Sequence, residues 1–94
     1  MSKSYVIKNI KSGYFFTRTH HFEELGYNTK LYKSYRDAYK ELEMAKSNQV
    51  WDLLEQVYNT DRFHIDCDMG IVDNVAEHVE LRIRSVYMKE GENV

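Results

Sequence analysis

Residues 5–22 read YVIKNIKSGYFFTRTHHF. Two runs rich in β-branched and aromatic side chains, 5–10 and 14–22, flank Lys11-Ser12-Gly13. Such side chains suit a pleated, half-buried surface, and a short connection containing Gly suits a tight reversal. The stretch therefore predicts an antiparallel hairpin, and the rest of the fold is read outward from it.

Beyond the hairpin, Thr29-Lys30-Leu31-Tyr32-Lys33 predicts a third short strand. Ser34 follows with Asp37 three residues on, close to a capping box with Asp standing where Glu or Gln is usual. Behind that cap, Tyr35, Ala38, Leu42 and Ala45 recur at helical spacing on one stripe. A second stripe, Val50, Leu53, Leu54 and Val57, is centred roughly a quarter turn away at about 100° per residue. The polar Ser47-Asn48-Gln49 falls at the change, where Ser47 or Asn48 would cap a new helix. The expectation is a kinked or broken pair of helices, 35–46 and 49–58.

Residues 62–67 predict a fourth strand, and Asp68-Met69-Gly70 a turn or loop. Over 79–88, Val79, Leu81, Ile83 and Tyr87 face one way, with Glu80, Arg82 and Arg84 on the other. That alternation predicts a last strand with one wet face. The terminal segment after it is expected to fray. The sum is βββ-α(α)-ββ: an α+β domain, with a mostly antiparallel sheet of about five strands and one kinked or two helices packed on one face. Residues 1–94 are read as a single domain.

Hydrophobic residues make up 43 % and charged residues 30 % of the chain, the balance of a globular protein, not a disordered one. No leader or long apolar run stands out, so neither secretion nor membrane insertion is expected, and a cytoplasmic setting fits. The lone Cys67 has no partner for an internal disulfide and alternates with polar neighbours, which predicts a core-facing thiol. Net charge is −2, unevenly spread: residues 1–46 carry nine Lys/Arg against five Asp/Glu, and residues 47–94 carry four against ten. Opposite charges meeting across the fold explain that split most simply. It also marks a basic binding face or an acidic surface for a basic partner.

In Phe63-His64-Ile65-Asp66-Cys67-Asp68, the imidazole and two carboxylates would share one strand face, with His20 and His21 available on a neighbouring strand. Residues two apart on a strand stand roughly 6.5 to 7 Å apart, too far for three to converge without a bend, so a solvated face is preferred and no metal is expected. No nucleophile elbow, Gly-rich phosphate loop or distinctive carboxylate pair is present, so neither an enzyme nor a cofactor is expected.

Nucleic-acid binding finds more support. Aromatic and cationic residues interleave along the first half, and Lys8, Lys11, Tyr14, Phe16, Arg18 and Lys33 are the candidates for stacking on bases and meeting phosphates. Residues 11–18 are like the aromatic strand of an RNA-recognition motif, but that fold requires a helix between its two aromatic strands and here only a turn intervenes. Protein recognition is the stronger reading. Its candidate surface is the later helical segment with the acidic second half: Trp51, Asp52, Glu55, Tyr58, Asp61, Asp66 and Asp68. Phe22, at the end of the hairpin, is read as a core plug under the following loop.

Tyr5-Val6-Ile7-Lys8, Gly13-Tyr14-Phe15, the run Thr29 to Ser34 and Asp37-Ala38 resemble the corresponding segments of small accessory proteins of phages and prophages of Gram-positive bacteria. Thr29 departs from the alanine usual there. The resemblance covers the first half of the chain and brings no catalytic residue with it. It implies a small protein in the host cytoplasm that binds a host bacterial protein, such as a CRISPR or other defence factor, and disables it by occlusion. A homodimer through an edge strand is compatible with the same sequence.

Overall fold

The computed structural model describes residues 2–66 and 68–88. It is an α+β fold: a four-stranded antiparallel sheet with a long helix across one face and a short helix beside it. In chain order the elements are β1 (Ser2–Asn9), β2 (Tyr14–Phe16), β3 (Phe22–Glu23), α1 (Tyr35–Tyr58), a 3₁₀ turn (Arg62–His64), α2 (Met69–Ala76) and β4 (Leu81–Met88). The sheet order is β3-β2-β1-β4.

The first hairpin is present. Lys8 pairs with Phe15 and Asn9 with Tyr14, and Gly13 closes the connection at φ 80°, where a side chain would be strained. The second run does not continue as one strand to residue 22. After Phe16 the chain reverses again, because the Thr17 hydroxyl donates to the His21 carbonyl at 3.0 Å and accepts from its N–H at 3.2 Å. A hydroxyl that satisfies local backbone groups diverts the chain from a ladder. Phe16 then pairs with Phe22.

β1 lies at the centre and pairs with β4 along all eight residues, from Ser2↔Met88 to Asn9↔Leu81. The expected strand 29–33 is reduced to two isolated bridges, Thr29 to Thr17 and Tyr32 to Tyr5. Tyr5 and Tyr32 exchange two backbone hydrogen bonds of 2.8 Å, so the segment prolongs the sheet where β2 has ended. Ile7, Phe16, Tyr32, Val79 and Leu81 pack with Ala38 and Ala45 of α1, and Tyr5, Phe22, Leu42, Val50, Leu53 and Ile83 close around them. Phe22 thus joins the core. Complete burial of a side chain such as Ile7 or Phe16 contributes about 2 kcal/mol.

The helical region is one unbroken helix, not two. Ser34 caps it, its Oγ accepting from the Asp37 N–H at 3.1 Å, and Asn59 ends it in the left-handed conformation at φ 51°. The two stripes share one helix: Val50 and Leu53 of the second pack against the same sheet core as the first, while Tyr35 and Val57 are exposed. The first stripe meets the sheet through Ala38, Leu42 and Ala45. Further on, α2 packs along α1, and Leu54 and Val75 are buried there outside the sheet core.

The expected strand 62–67 is absent over its described residues. Asp61 accepts from the N–H of Phe63 at 3.1 Å, and this cap starts a 3₁₀ turn. Phe63, read as facing inward, is 92 % exposed. The turn expected at 68–70 is the start of α2: Asp68 Oδ1 accepts from the N–H of Gly70 at 2.8 Å and of Ile71 at 3.4 Å. The last strand is present from Leu81. Along it Leu81 and Ile83 join the core, while Tyr87, at the same facing, is exposed. Cys67 and the segment after Met88 lie outside the described residues. Among the described residues, no helix is long and apolar enough to cross a membrane.

Candidate binding cleft and its charged flank

α1 spans 24 residues, about 36 Å at 1.5 Å per residue, whereas β2 and β3 have three and two residues. The helix therefore runs on past the short strands. Its sheet-facing side, which carries Ala38, Leu42 and Ala45 over the core, continues as Gln49, Asp52 and Gln56 at the same helical spacing. Opposite them stand Tyr14 at the start of β2 and His21 and Phe22 at the second reversal. Between the two walls is a cleft of about 720 Å³.

His21 and Asp52 bridge the cleft. Nδ1 of His21 lies 2.8 Å from Oδ2 of Asp52, whose side chain is only 16 % exposed. The other oxygen, Oδ1, accepts from Nη2 of Arg62 at 3.3 Å. Arg62 also donates through Nε to Oε1 of Glu55 at 2.9 Å, and its guanidinium sits 5.9 Å from the Trp51 ring centre. Three side chains of α1 thus fix the 3₁₀ turn through one arginine. On the far side of that turn His64 Nδ1 meets Asp61 at 2.7 Å. The hydrogen bond from His64 holds the Asp61 carboxyl below the usual carboxylate range.

Gln49 differs from its neighbours. It is 7 % exposed, borders the cleft, and its side-chain amide makes no hydrogen bond among the described residues. Among the described residues, no polar side-chain atom of a buried or half-buried residue is both fully enclosed and unpartnered, so the Gln49 amide is reachable by solvent.

The residues expected to form one partner-binding surface divide into two groups. Trp51, Asp52 and Glu55 come together around Arg62, and Tyr58 is half-buried in the last turn of the same helix. Asp61 and Asp68 instead cap the 3₁₀ turn and α2, and Asp66 is exposed between those caps. Of the nucleic-acid candidates, Phe16 is fully buried in the core and is unable to stack on a base. Tyr14 borders the cleft, and Arg18 lies over the Tyr27 ring at 5.7 Å. Lys8 lies 5.3 Å from the Phe15 ring centre, while Lys11 and Lys33 are exposed.

His64, Asp66 and Asp68 do not share a strand face, since His64 belongs to the 3₁₀ turn and Asp68 to the cap of α2. Nor do His20 and His21 join them: His20 stacks on Phe16 at 5.6 Å and His21 binds Asp52. Among the described residues no group of three or more His, Cys, Asp or Glu side chains is placed to hold a metal ion.

From the sequence, Arg62 is not singled out, and His21 reads as a candidate metal ligand, Gln49 as part of a helix break and Phe63 as an inward-facing strand residue. Asp61, a capping residue two positions before Phe63, was the available signal for the 3₁₀ turn that presents Arg62 and Phe63. No local pattern announces the contact of His21 with Asp52, which are 31 residues apart. No protein-family model, curated protein or solved structure matches the chain.

Proposed function

We propose that this protein is a non-enzymatic protein-binding module whose contact surface is the C-terminal half of α1 with the 3₁₀ turn beside it. The observation that carries the reading is Phe63. Its ring is 92 % exposed, yet the residues on both sides of it are pinned, Arg62 to Asp52 and Glu55 and His64 to Asp61. A large apolar ring held out on a braced turn loses little freedom when a partner covers it, which makes it a good anchor. Trp51, Asp52, Glu55 and Tyr58 supply an aromatic and acidic surround. The resemblance of the first half to small phage proteins supports the narrower form of this proposal: the partner is a host bacterial protein, such as a defence factor, and the action is occlusion.

The test is capture from a bacterial lysate with the wild-type protein and with Phe63→Ala, followed by cross-linking to locate the contact. A captured protein that cross-links to α1 or the 3₁₀ turn, and is lost with Phe63→Ala at unchanged melting temperature, supports the proposal. Capture indifferent to Phe63, with cross-links confined to the sheet, overturns it.

A second reading, binding of single-stranded nucleic acid, has one observation in its favour. Ile7, Leu81 and Ile83 face α1, so Lys8, Arg82 and Arg84 lie on the opposite face of the sheet, with Lys8 beside Phe15. Binding to a labelled oligonucleotide that weakens steeply with salt would favour this reading over the first.

A further inference from the structure

We infer that the cleft beneath the overhanging half of α1 receives an arginine side chain from a protein partner, an inference that rests on the protein-binding reading above. Three independent features of the cleft point to a guanidinium.

The first is Gln49, a residue only 7 % exposed that borders the cleft and whose amide has no hydrogen-bond partner among the described residues. Its amide stays reachable by solvent, so it is open to an incoming hydrogen-bond donor. The amide oxygen accepts hydrogen bonds, and guanidinium offers five N–H donors in a planar fork.

The second is charge. Asp52 and Glu55 both border the cleft, and Arg62 is the only lysine or arginine that either one pairs with among the described residues. The two carboxylates outnumber the one guanidinium paired with them. Glu55 is bound through Oε1, so Oε2 keeps its lone pairs for a second donor. An anionic ligand would face two carboxylates, whereas a cation completes the pairing.

The third is shape. At about 720 Å³ the cleft has room for a side chain and the backbone beside it, within the usual range for ligand sites. The rings of Tyr14 and Phe22 line it, and a planar guanidinium stacks on such surfaces where a lysine ammonium does not.

The test uses the full chain labelled with ¹⁵N and N-acetyl-arginine methylamide as the probe. The uncharged isostere N-acetyl-citrulline methylamide is titrated at matched ionic strength. Arginine should shift the Gln49 side-chain amide and the backbone amides of His21 and Asp52 saturably, with Kd on the order of 1 mM for so small a ligand. Citrulline should bind at least about tenfold more weakly, the loss expected when a charged hydrogen bond is replaced by a neutral one. Gln49→Leu and, independently, the more exposed Glu55→Gln should each weaken the arginine response several-fold.

Equal responses to the two probes, no saturable shift, or shifts mapping outside the cleft overturn the inference. The titration needs no partner, so its failure is separable from that of the function proposal. Partner capture that depends on Phe63 but is indifferent to Glu55→Gln would leave the binding module standing and remove the arginine from it.

Discussion

The side-chain amide of Asn9 donates to the main-chain carbonyl of His78, 69 residues away, at 3.1 Å. The Asn9 Oδ1 accepts from the N–H groups of Lys11 and Glu80, both at 3.1 Å. One fully buried side chain therefore fixes the hairpin turn after β1 and the entry to β4 together. Truncation in Asn9→Ala leaves two N–H groups and a carbonyl without these partners. A loss of about 3 kcal/mol is expected, on the order of 1 kcal/mol for each group, some of them reaching water. Urea unfolding checks it; a loss below about 1 kcal/mol would show that water replaces the amide without cost.

The continuity of α1 has a consequence at two serines. Ser34 caps the helix, so Ser34→Ala should cost about 1 kcal/mol. Ser47 sits mid-helix and exposed, so Ser47→Ala should stabilise by roughly 0.5 kcal/mol, since alanine is the better helix former. If Ser47→Ala were instead destabilising by as much as Ser34→Ala, the helix would be broken where the polar stretch suggests. Thermal unfolding of the two variants side by side decides between these outcomes.

Leu54 is 1 % exposed and lies outside the sheet core, on the part of α1 along which α2 packs. Leu54→Ala should cost about 3 kcal/mol, the usual penalty for a cavity of that size. The damage should be local first: amide exchange at Val75 should quicken more than at Ile7 in the centre of the sheet. Uniform acceleration across both would mean that α2 and the sheet unfold as one unit.

These same residues show why parts of the fold were legible in the sequence and others not. The hairpin, the cap at Ser34, the first stripe of α1 and the alternation from Leu81 are local patterns, and their periodicity carried through to the fold. Two stripes at different angles, changing at Gln49, imply two helices only if each helix has one neighbour. Here α1 has the sheet on one side and α2 on another. Residues 62–67 have strand periodicity, but Asp61 and Asp68 cap helical turns on either side, and capping hydrogen bonds outweighed alternation. Asp68 before Ile71, Val72 and Val75 was the signal for α2, obscured by Gly70. Of the cleft, Asp52 and Glu55 were legible as acidic residues on a helix, but His21 and Gln49 acquire meaning only from tertiary contacts.

The pair of Asp61 and His64 makes a prediction about titration. His64 hydrogen-bonds the Asp61 carboxylate at 2.7 Å and lowers its pKa. A depressed carboxyl pKa adds stability that is present above the unfolded value and lost as pH falls through the folded one. Both side chains are exposed, so the effect on global stability is expected to be slight and the local signal is the better readout. Carboxyl ¹³C shifts followed between pH 2 and 6 should show Asp61 titrating below the ordinary aspartate value. His64→Ala should move the Asp61 midpoint upward. An unmoved midpoint would assign the depression to the backbone N–H groups instead.

Tyr32 carries the converse case. It is 5 % exposed, its hydroxyl donates to Oε1 of Glu41 at 3.1 Å, and Lys30 holds that same oxygen at 2.6 Å. Burial first, and then the neighbouring carboxylate, push the phenol well above its ordinary pKa. Ionisation of Tyr32 is therefore favoured in the unfolded chain over the folded one. The proton-linked stability is fully present below about pH 10, the unfolded value, and is lost as pH climbs from there toward the higher folded pKa. At pH 7, Tyr32→Phe should cost about 1 kcal/mol for the lost hydrogen bond. Above pH 10 the wild type should lose up to about 1.4 kcal/mol per pH unit that the variant does not lose, so their stabilities converge. Urea midpoints from pH 8 to 11 test this, and parallel curves for the two proteins would show that the Tyr32 hydroxyl titrates as freely folded as unfolded.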